Sequence, residues 1–316
     1  MNPIALSPKN QNELYFHKGL FLEFVDLYNK NNLPNKIIFS GQKGLGKATL
    51  AYHITNYIFS KNEELNYNIN SFNINSSNKS YKLICNNSHP NFHLINLSED
   101  KKAIEISQIR KMISYTNKTS FNNKEKIILI DNVEFLNLNS LNALLKIAEE
   151  PNENIFFFMI FDSSKKLLNT LKSRCIKYNF NISFKESINL TNKIIKDDIY
   201  NFINPKLISY YSTPGELINL LNFSLNSKMD LLNTDLKNFL INIIENKLYK
   251  KNHFIKNNIY KYIEFYFLNL TKLNFSKVQI SKLYNNFIHK ISDLKKFNLD
   301  EEAFFIEFKS EILNEQ

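Results

Sequence analysis

The chain is 316 residues long and carries 40 Lys and Arg against 30 Asp and Glu, which gives it a formal net charge of +10. That length predicts two or three domains, and a composition of 43% hydrophobic and 22% charged residues excludes a disordered or fibrous protein. Two cysteines cannot form a disulfide framework, and no apolar run approaches the ~20 residues of a membrane span, so a soluble cytoplasmic protein without a membrane partner is expected.

Short apolar runs alternate with helical patterns over residues 1–180. Continuous apolar runs are typical of strands that are covered on both faces of a parallel sheet. The predicted strands are residues 37–39, 92–97, 127–130 and 155–161, and the predicted helices are residues 14–28, 47–59, 108–115 and 138–149. This alternation predicts an α/β domain with a doubly wound parallel sheet.

The rest of the chain shows only helical patterns. They fall at residues 184–203, 205–211, 214–225, 231–248, 255–270, 278–291 and 301–313. We therefore expect an α/β domain at residues 1–179, a small helical domain at 180–228 and a C-terminal helical domain at 229–316. Inside the first domain, the Asn- and Ser-rich segment 61–91 is predicted to be a mobile surface insertion.

Three of the five glycines in the chain, Gly41, Gly44 and Gly46, lie within six residues of one another. They follow a predicted strand and open a predicted helix, which is the setting of a phosphate-binding P-loop. In such a loop the backbone N–H groups wrap a phosphate chain, and Lys47 would reach the outer phosphates. The alternative is a glycine-rich turn that holds no ligand. The agreement of glycines, lysine and flanking elements favours the phosphate loop.

The metal-binding half of such a site is incomplete. A P-loop has Ser or Thr after its lysine because that hydroxyl ligates Mg²⁺, whereas this chain has Ala48. Thr49 is one residue further along the helix, which turns its side chain by roughly 100°. Asp131 ends an apolar strand and would face the metal. A lone aspartate here would commonly be a capping or turn residue, but the upstream glycine loop makes that alternative the less favoured one. Asn132 then stands where hydrolytic sites commonly place a glutamate base.

A family resemblance rests on several motifs. The most specific are the Asn-Ala-Leu-Leu-Lys to Glu-Glu-Pro stretch within residues 141–151 and the Ser-Arg-Cys of 173–175. On these residues the chain resembles the clamp-loader proteins of bacterial DNA polymerase III, which are AAA+ proteins. The resemblance is dense over residues 33–178 and thin afterwards. The stretches that carry it are residues 44–51, 88–91, 127–131, 141–151, 167–175 and 212–215.

The resemblance implies a fold and a nucleotide site. It implies an α/β AAA+ P-loop domain with a parallel sheet, followed by a small helical lid domain and a C-terminal helical collar. ATP would be bound without hydrolysis. Glu216 stands where ATPase relatives commonly carry a sensing arginine, and its carboxylate would repel phosphates. The residues expected at the nucleotide are Gly41, Gly44, Gly46, Lys47, Ala48, Thr49 and Asp131.

The resemblance also implies a role towards other subunits. Arg174 of the Ser-Arg-Cys motif would act as an arginine finger on the γ-phosphate in a neighbouring ATPase subunit, because a planar, permanently charged guanidinium matches developing phosphoryl charge. The implied partners are the delta and gamma/tau subunits of a hetero-pentamer, the sliding clamp and primed DNA. The net charge weakly favours such a polyanionic partner.

Two other functions stay open. An ATP-hydrolysing clamp-loader motor subunit would need a hydroxyl at position 48 and an acid at position 132. An unrelated P-loop phosphotransferase would need substrate-binding residues near the loop, whereas this chain offers Ser-Arg-Cys and a helical tail.

Zinc and DNA binding have weaker signals. Cys85, His89 and His93 follow one another at intervals of four, but a structural zinc site needs four ligands, so a metal-free insertion is favoured. Cys175 is predicted to be a small buried residue. The aromatic residues between 260 and 267 are interspersed with Lys256, Lys261 and Lys272. Their helical spacing favours a helix core and packing against partner helices, with direct DNA contact as the second alternative.

Overall fold

The computed structural model describes residues 3–4, 7–97, 101–121, 124–149, 154–270, 277–297 and 299–313. The chain divides into two compact units. The first, which we call the α/β unit, comprises Ala5–Ile194 and Thr213–Glu216, and the second, the helical unit, comprises Met1–Ile4, Ile195–Ser212 and Leu217–Gln316. The division into three domains at residues 179 and 228 stays a prediction.

A five-stranded parallel sheet lies at the centre of the α/β unit. Its strands are β1 (Lys36–Gly41), β2 (Phe92–Ile95), β3 (Lys126–Ile130), β4 (Ile155–Asp162) and β5 (Ile176–Asn179). Their order in the sheet is β2-β3-β4-β1-β5, and every pairing is parallel. The predicted fold class and the four predicted strands are confirmed. The edge strand β5 is an addition, because its side chains are mostly exposed and leave no continuous apolar run.

Helices flank the sheet. They are α1 (Lys18–Asn29), α2 (Lys47–Ser60), α3 (Lys79–Cys85), α4 (Ile106–Thr116), α5 (Leu138–Glu149), α6 (Asn169–Lys172) and α7 (Phe184–Ile195). The helix predicted from residue 14 begins four residues later than expected. Leu14 lies outside any helix, its N–H donates to the Phe72 carbonyl at 3.0 Å, and His17 at φ 62° directly precedes α1. A tertiary pairing thus overrides the apolar periodicity at this end.

The sheet is buried on both faces. Ile127 and Leu129 pack into one hydrophobic cluster with α1 and α2, while Ile128 and Ile130 pack into a second cluster with α4 and α5. All five residues of β3 are buried. Strands in this position need apolar side chains at every residue, which is why the sequence shows continuous runs.

The Asn- and Ser-rich segment 61–91 is anchored in the first of these clusters, although most of its residues are exposed, and its mobility stays a prediction. Tyr67, Ile74, Tyr81 and Ile84 of this segment are all buried there. Asparagine side chains satisfy its turns: the side-chain oxygens of Asn68, Asn75 and Asn78 accept from backbone N–H groups of Ser71, Ser77 and Tyr81. A composition typical of disorder therefore contains enough spaced apolar anchors to fold.

The helical unit contains the remaining helices. They are α8 (Pro214–Ser227), whose first turn belongs to the α/β unit, α9 (Leu236–Glu245), α10 (Leu248–Lys251), α11 (His253–Leu270), α12 (Lys277–Phe297) and α13 (Glu301–Phe308). Phenylalanine rings fill its core: the Phe287 ring centre lies 5.9 Å from that of Phe267 and 5.4 Å from that of Phe308. Phe265, Tyr266 and Phe267 are buried, as expected for a helix core. No helix among the described residues is long and apolar enough to cross a bilayer.

Candidate functional site

The phosphate loop, which we define as residues 41–46, joins the end of β1 to the start of α2. Gly44 and Gly46 have φ angles of +86° and +78°. Only glycine adopts this left-handed region without strain, so both glycines are required by the backbone. The turn places the N-terminus of a 14-residue helix directly after the loop, where the helix dipole favours an anion.

The Lys47 side chain reaches back to the start of this loop. Its Nζ donates to the carbonyls of Gly41 at 2.7 Å and Gln42 at 2.6 Å. An ammonium group has three donors, so one remains for a phosphate oxygen. The residue is only 5% exposed, and this burial lowers the pKa of Lys47 to about 8, against the raising effect of nearby carboxylates. The Lys47 ammonium group is thus held at the start of the phosphate loop.

Three carboxylates raise the pKa of Lys47 through their charge: Asp162, Glu134 and Asp131. Asp131 follows β3, and burial raises its pKa while Lys43 and Lys47 oppose that shift. Glu134 lies in the single turn Val133–Phe135, where its carboxylate accepts from the Asp162 N–H at 3.3 Å. The carboxyl ends of neighbouring parallel strands meet at one sheet edge, which brings these acids to the phosphate loop.

The first turn of α2 lacks a metal ligand at the usual position. Ala48 packs against the hydrophobic cluster beneath the helix and offers no oxygen. Thr49 follows it on the same helix. Asn132 adopts a left-handed φ of 61° directly after Asp131 and carries an amide in place of a carboxylate. Compared with the sequence pattern of a P-loop site, the chain therefore has the glycines, Lys47 and Asp131, and lacks a hydroxyl at position 48 and a glutamate at position 132.

Arg174 lies in the turn between α6 and β5 and is exposed. Its guanidinium donates to the Thr170 carbonyl at 3.2 Å and to the Ser173 hydroxyl at 3.4 Å. These contacts within its own turn hold the side chain at the surface of the α/β unit. Cys175 beside it packs against the second hydrophobic cluster, and burial raises the pKa of its thiol to about 11. In the Ser-Arg-Cys motif, Arg174 is therefore exposed and Cys175 is partly buried. The Glu150 and Pro151 of the other motif fall outside the described residues.

Glu216 forms a helix cap. Its carboxylate accepts from the Thr213 N–H at 3.2 Å, and its own N–H donates to the Thr213 hydroxyl at 3.4 Å. This reciprocal pair is a capping box at the start of α8. The structure gives Glu216 a local structural partner in addition to the electrostatic role expected from its place in the sequence.

Cys85, His89 and His93 are each occupied by packing or hydrogen bonds. The His89 ring stacks on Phe59 with ring centres 4.2 Å apart, and the His93 ring stacks on Tyr115 at 5.1 Å. The Cys85 thiol donates to the carbonyl of Lys9 at 3.4 Å. Among the described residues, no group of three or more His, Cys, Asp or Glu side chains is placed to hold a metal ion.

Four residues at this site were not singled out from the sequence: His17, Glu134, Asp162 and Thr213. The two acids could have been found, because each follows or ends a predicted strand and the ends of parallel strands share an edge. His17 and Thr213 reach the loop from 28 and 170 positions away in the chain, and nothing local to either marks that contact.

A family model and individual relatives both show similarity of this chain to subunits of DNA polymerase III. The family described as "DNA polymerase III, delta subunit" matches residues 17–183, more than half of the chain. The DNA polymerase III subunit delta' of Buchnera aphidicola subsp. Schizaphis graminum is 32% identical over 190 residues, which cover 59% of this chain and 56% of that protein. The DNA polymerase III subunit gamma of the same organism is 32% identical over 210 residues, covering 64% of this chain and 54% of that protein.

The matched region spans only part of these relatives, at 56% of the Buchnera delta' subunit and 30% of the delta' subunit of Pseudomonas aeruginosa, which is 31% identical over 99 residues covering 31% of this chain. Among solved structures, a DNA polymerase III gamma subunit-related protein from Thermotoga maritima aligns over 91% of this chain and 97% of its own. That alignment has a TM-score of 0.50 at 15% identity and supports the fold alone.

Proposed function

The chain belongs to the DNA polymerase III delta-subunit family, and from that premise we propose that it is a delta'-like clamp-loader subunit that holds a nucleotide without hydrolysing it. The observation that carries the proposal is Ala48, which packs into the core where a hydrolytic P-loop presents a hydroxyl to Mg²⁺. Asn132 adds to it, since an amide cannot take a proton from the attacking water.

Arg174 supports a role in trans. It is exposed in a short turn, and its guanidinium donates to the Thr170 carbonyl and the Ser173 hydroxyl, both close to it in the chain. In the proposed function this arginine stabilises phosphoryl charge in the site of an adjacent ATPase subunit. The proposed assembly is a hetero-pentamer with delta and gamma/tau subunits, in which the helical unit packs against its counterparts, and its substrates are the sliding clamp and primed DNA.

An ATP-hydrolysing motor subunit is the second candidate. The observations that favour it are that Lys47 lies at the phosphate loop, that Asp131 directly follows β3, and that a gamma subunit is among the relatives. In the proposed function these groups bind the nucleotide and the missing ligands prevent turnover.

The response of binding to Mg²⁺ tests the proposal. Because position 48 supplies no oxygen, we expect the affinity for ADP, measured by calorimetry, to change by less than about threefold when Mg²⁺ is added. Lys47→Ala, the control, is expected to weaken binding by about 10- to 100-fold, since it removes a charge-assisted hydrogen bond. An affinity that rises tenfold or more with Mg²⁺ would contradict the proposal.

Nucleotide binding should also depend on pH through Lys47. The pKa of Lys47 is about 8 in the free site, so the ammonium is present at pH 7 and is lost as the pH rises through that value. A bound phosphate favours the ammonium, so binding above pH 8 must take up a proton, and the affinity for ADP should fall by up to about tenfold per pH unit there. Lys47→Arg keeps its charge throughout and should give a flat profile between pH 7 and 9.5. An equally flat profile for the unmodified protein would rule out this role of Lys47.

A further inference from the structure

Segment 213–216 is hydrogen-bonded to the phosphate loop. The Thr213 hydroxyl donates to the Lys43 carbonyl at 2.8 Å, and the Gly215 N–H donates to the Gly44 carbonyl at 3.1 Å. The two glycines are in backbone contact, since a Cβ added to Gly215 would lie 2.6 Å from the Gly44 Cα. All of these residues belong to the α/β unit.

His17 holds the next carbonyl of the loop. Its Nε2 lies 2.8 Å from the Leu45 carbonyl oxygen, which can only accept, so this ring nitrogen carries the proton. The ring is packed between Phe16 and Phe180, with ring centres 4.2 and 4.5 Å away. Burial lowers the pKa of His17 to about 4, so the ring is neutral at pH 7 and keeps one N–H for this bond.

Together with Lys47, these contacts give every carbonyl from residue 41 to residue 45 a hydrogen-bond donor. The N–H groups of the loop differ from its carbonyls in this respect. Among the residues that the structure describes, no acceptor is paired with the N–H groups of residues 43–46. A peptide unit whose carbonyl is fixed has its N–H fixed in the opposite direction, because the group is planar and trans. An N–H group that is fixed in this way and has no acceptor among the described residues can donate to a bound anion.

We propose that Thr213 and His17 are positioning residues: by bonding the carbonyls of residues 43 and 45 they fix the direction of the N–H groups of residues 44 and 46, which would then bind the diphosphate group of a nucleotide. For its ligand this inference rests on the proposed function. Neither side chain touches the phosphate: each acts through the backbone of the loop. They order the loop before the ligand arrives. Without them, part of the binding free energy would be used to order it.

The test compares three variants of the full chain. Thr213→Val removes the hydroxyl donor, Thr213→Ser retains it, and Glu216→Ala removes one bond of the capping box while leaving the hydroxyl in place. Binding of inorganic pyrophosphate is measured by calorimetry, and the exchange of the Gly215 amide hydrogen, which is bonded to the Gly44 carbonyl, is measured without ligand. We expect Thr213→Val to weaken binding about tenfold and to speed that exchange, and the other two variants to stay within about twofold of the unmodified chain.

The outcomes separate this inference from the proposed function. Unchanged binding and unchanged exchange in Thr213→Val would overturn the positioning role. If the unmodified chain binds neither pyrophosphate nor ADP, but Thr213→Val speeds exchange and Thr213→Ser does not, the ordering of the loop is supported and the proposed ligand is wrong. Faster exchange in Glu216→Ala equal to that in Thr213→Val would assign the effect to the helix cap and overturn the inference.

Discussion

Replacing Arg174 by alanine is expected to lower ATP hydrolysis at the neighbouring site of the assembled clamp loader by about 10³-fold or more, the effect of losing an arginine finger. The change should leave this chain folded. Arg174 is exposed, and its guanidinium donates to the Thr170 carbonyl and the Ser173 hydroxyl, so the free energy of unfolding should move by less than about 0.5 kcal/mol. The measurement is single-turnover ATP hydrolysis by the reconstituted complex.

Two variants serve as controls for this prediction. Lys172→Ala removes an exposed cation two residues away and should leave hydrolysis unchanged. Arg174→Lys keeps the charge but loses the planar fork of donors, so it should remain strongly impaired. Hydrolysis by the Arg174→Ala complex at the unmodified rate, in complexes of the same composition, would remove the role in trans.

Gly44→Ala is expected to destabilise the chain strongly, because this position combines a left-handed φ with close contacts. Its φ of +86° costs a residue with a Cβ about 1–2 kcal/mol. The new Cβ would also collide with the Thr213 hydroxyl and approach the Gly215 Cα to 3.1 Å, and overpacking of this kind costs about 1–3 kcal/mol more. We expect a total loss of about 2–5 kcal/mol, measured as the shift of the urea unfolding midpoint of the full chain.

Two other glycines separate the strain from the collision. A Cβ at Gly46 would meet nothing within 4 Å, although its φ is +78°, so Gly46→Ala should cost only the backbone strain of about 1–2 kcal/mol. Gly19 in α1 has open space around it and no positive φ, so Gly19→Ala should be neutral or stabilise by up to about 1 kcal/mol. Equal losses for Gly44→Ala and Gly46→Ala would show that the contact with segment 213–216 carries no weight.

The sequence predicted the elements whose signal is local. Strands β1, β3 and β4 were predictable because both faces are buried, and α2 because the glycine cluster and Lys47 mark its start. Strand β5 and the start of α1 were not, since the first is exposed and the second is displaced by a pairing with Phe72. Segment 61–91 has the composition of a disordered chain, yet four spaced apolar residues anchor it.

The residues of the candidate site also divide into those that a local motif predicts and those that only the fold brings to the loop. Gly41, Gly44, Gly46 and Lys47 form a contiguous motif whose chemistry is readable from residue types alone. The contact with Thr213 joins residues 170 positions apart, and no pattern near either end encodes it. Such a bond exists only because the sheet and the start of α8 have already brought the two segments together, so it follows from the fold rather than from the motif.

The most direct test of the account is ATP turnover by the isolated chain, measured beside Lys47→Ala. The account predicts no hydrolysis above the level of that variant, because position 48 offers no hydroxyl to Mg²⁺ and position 132 no carboxylate to the attacking water. Turnover by the unmodified chain that disappears in Lys47→Ala would contradict it and would identify the chain as a motor subunit.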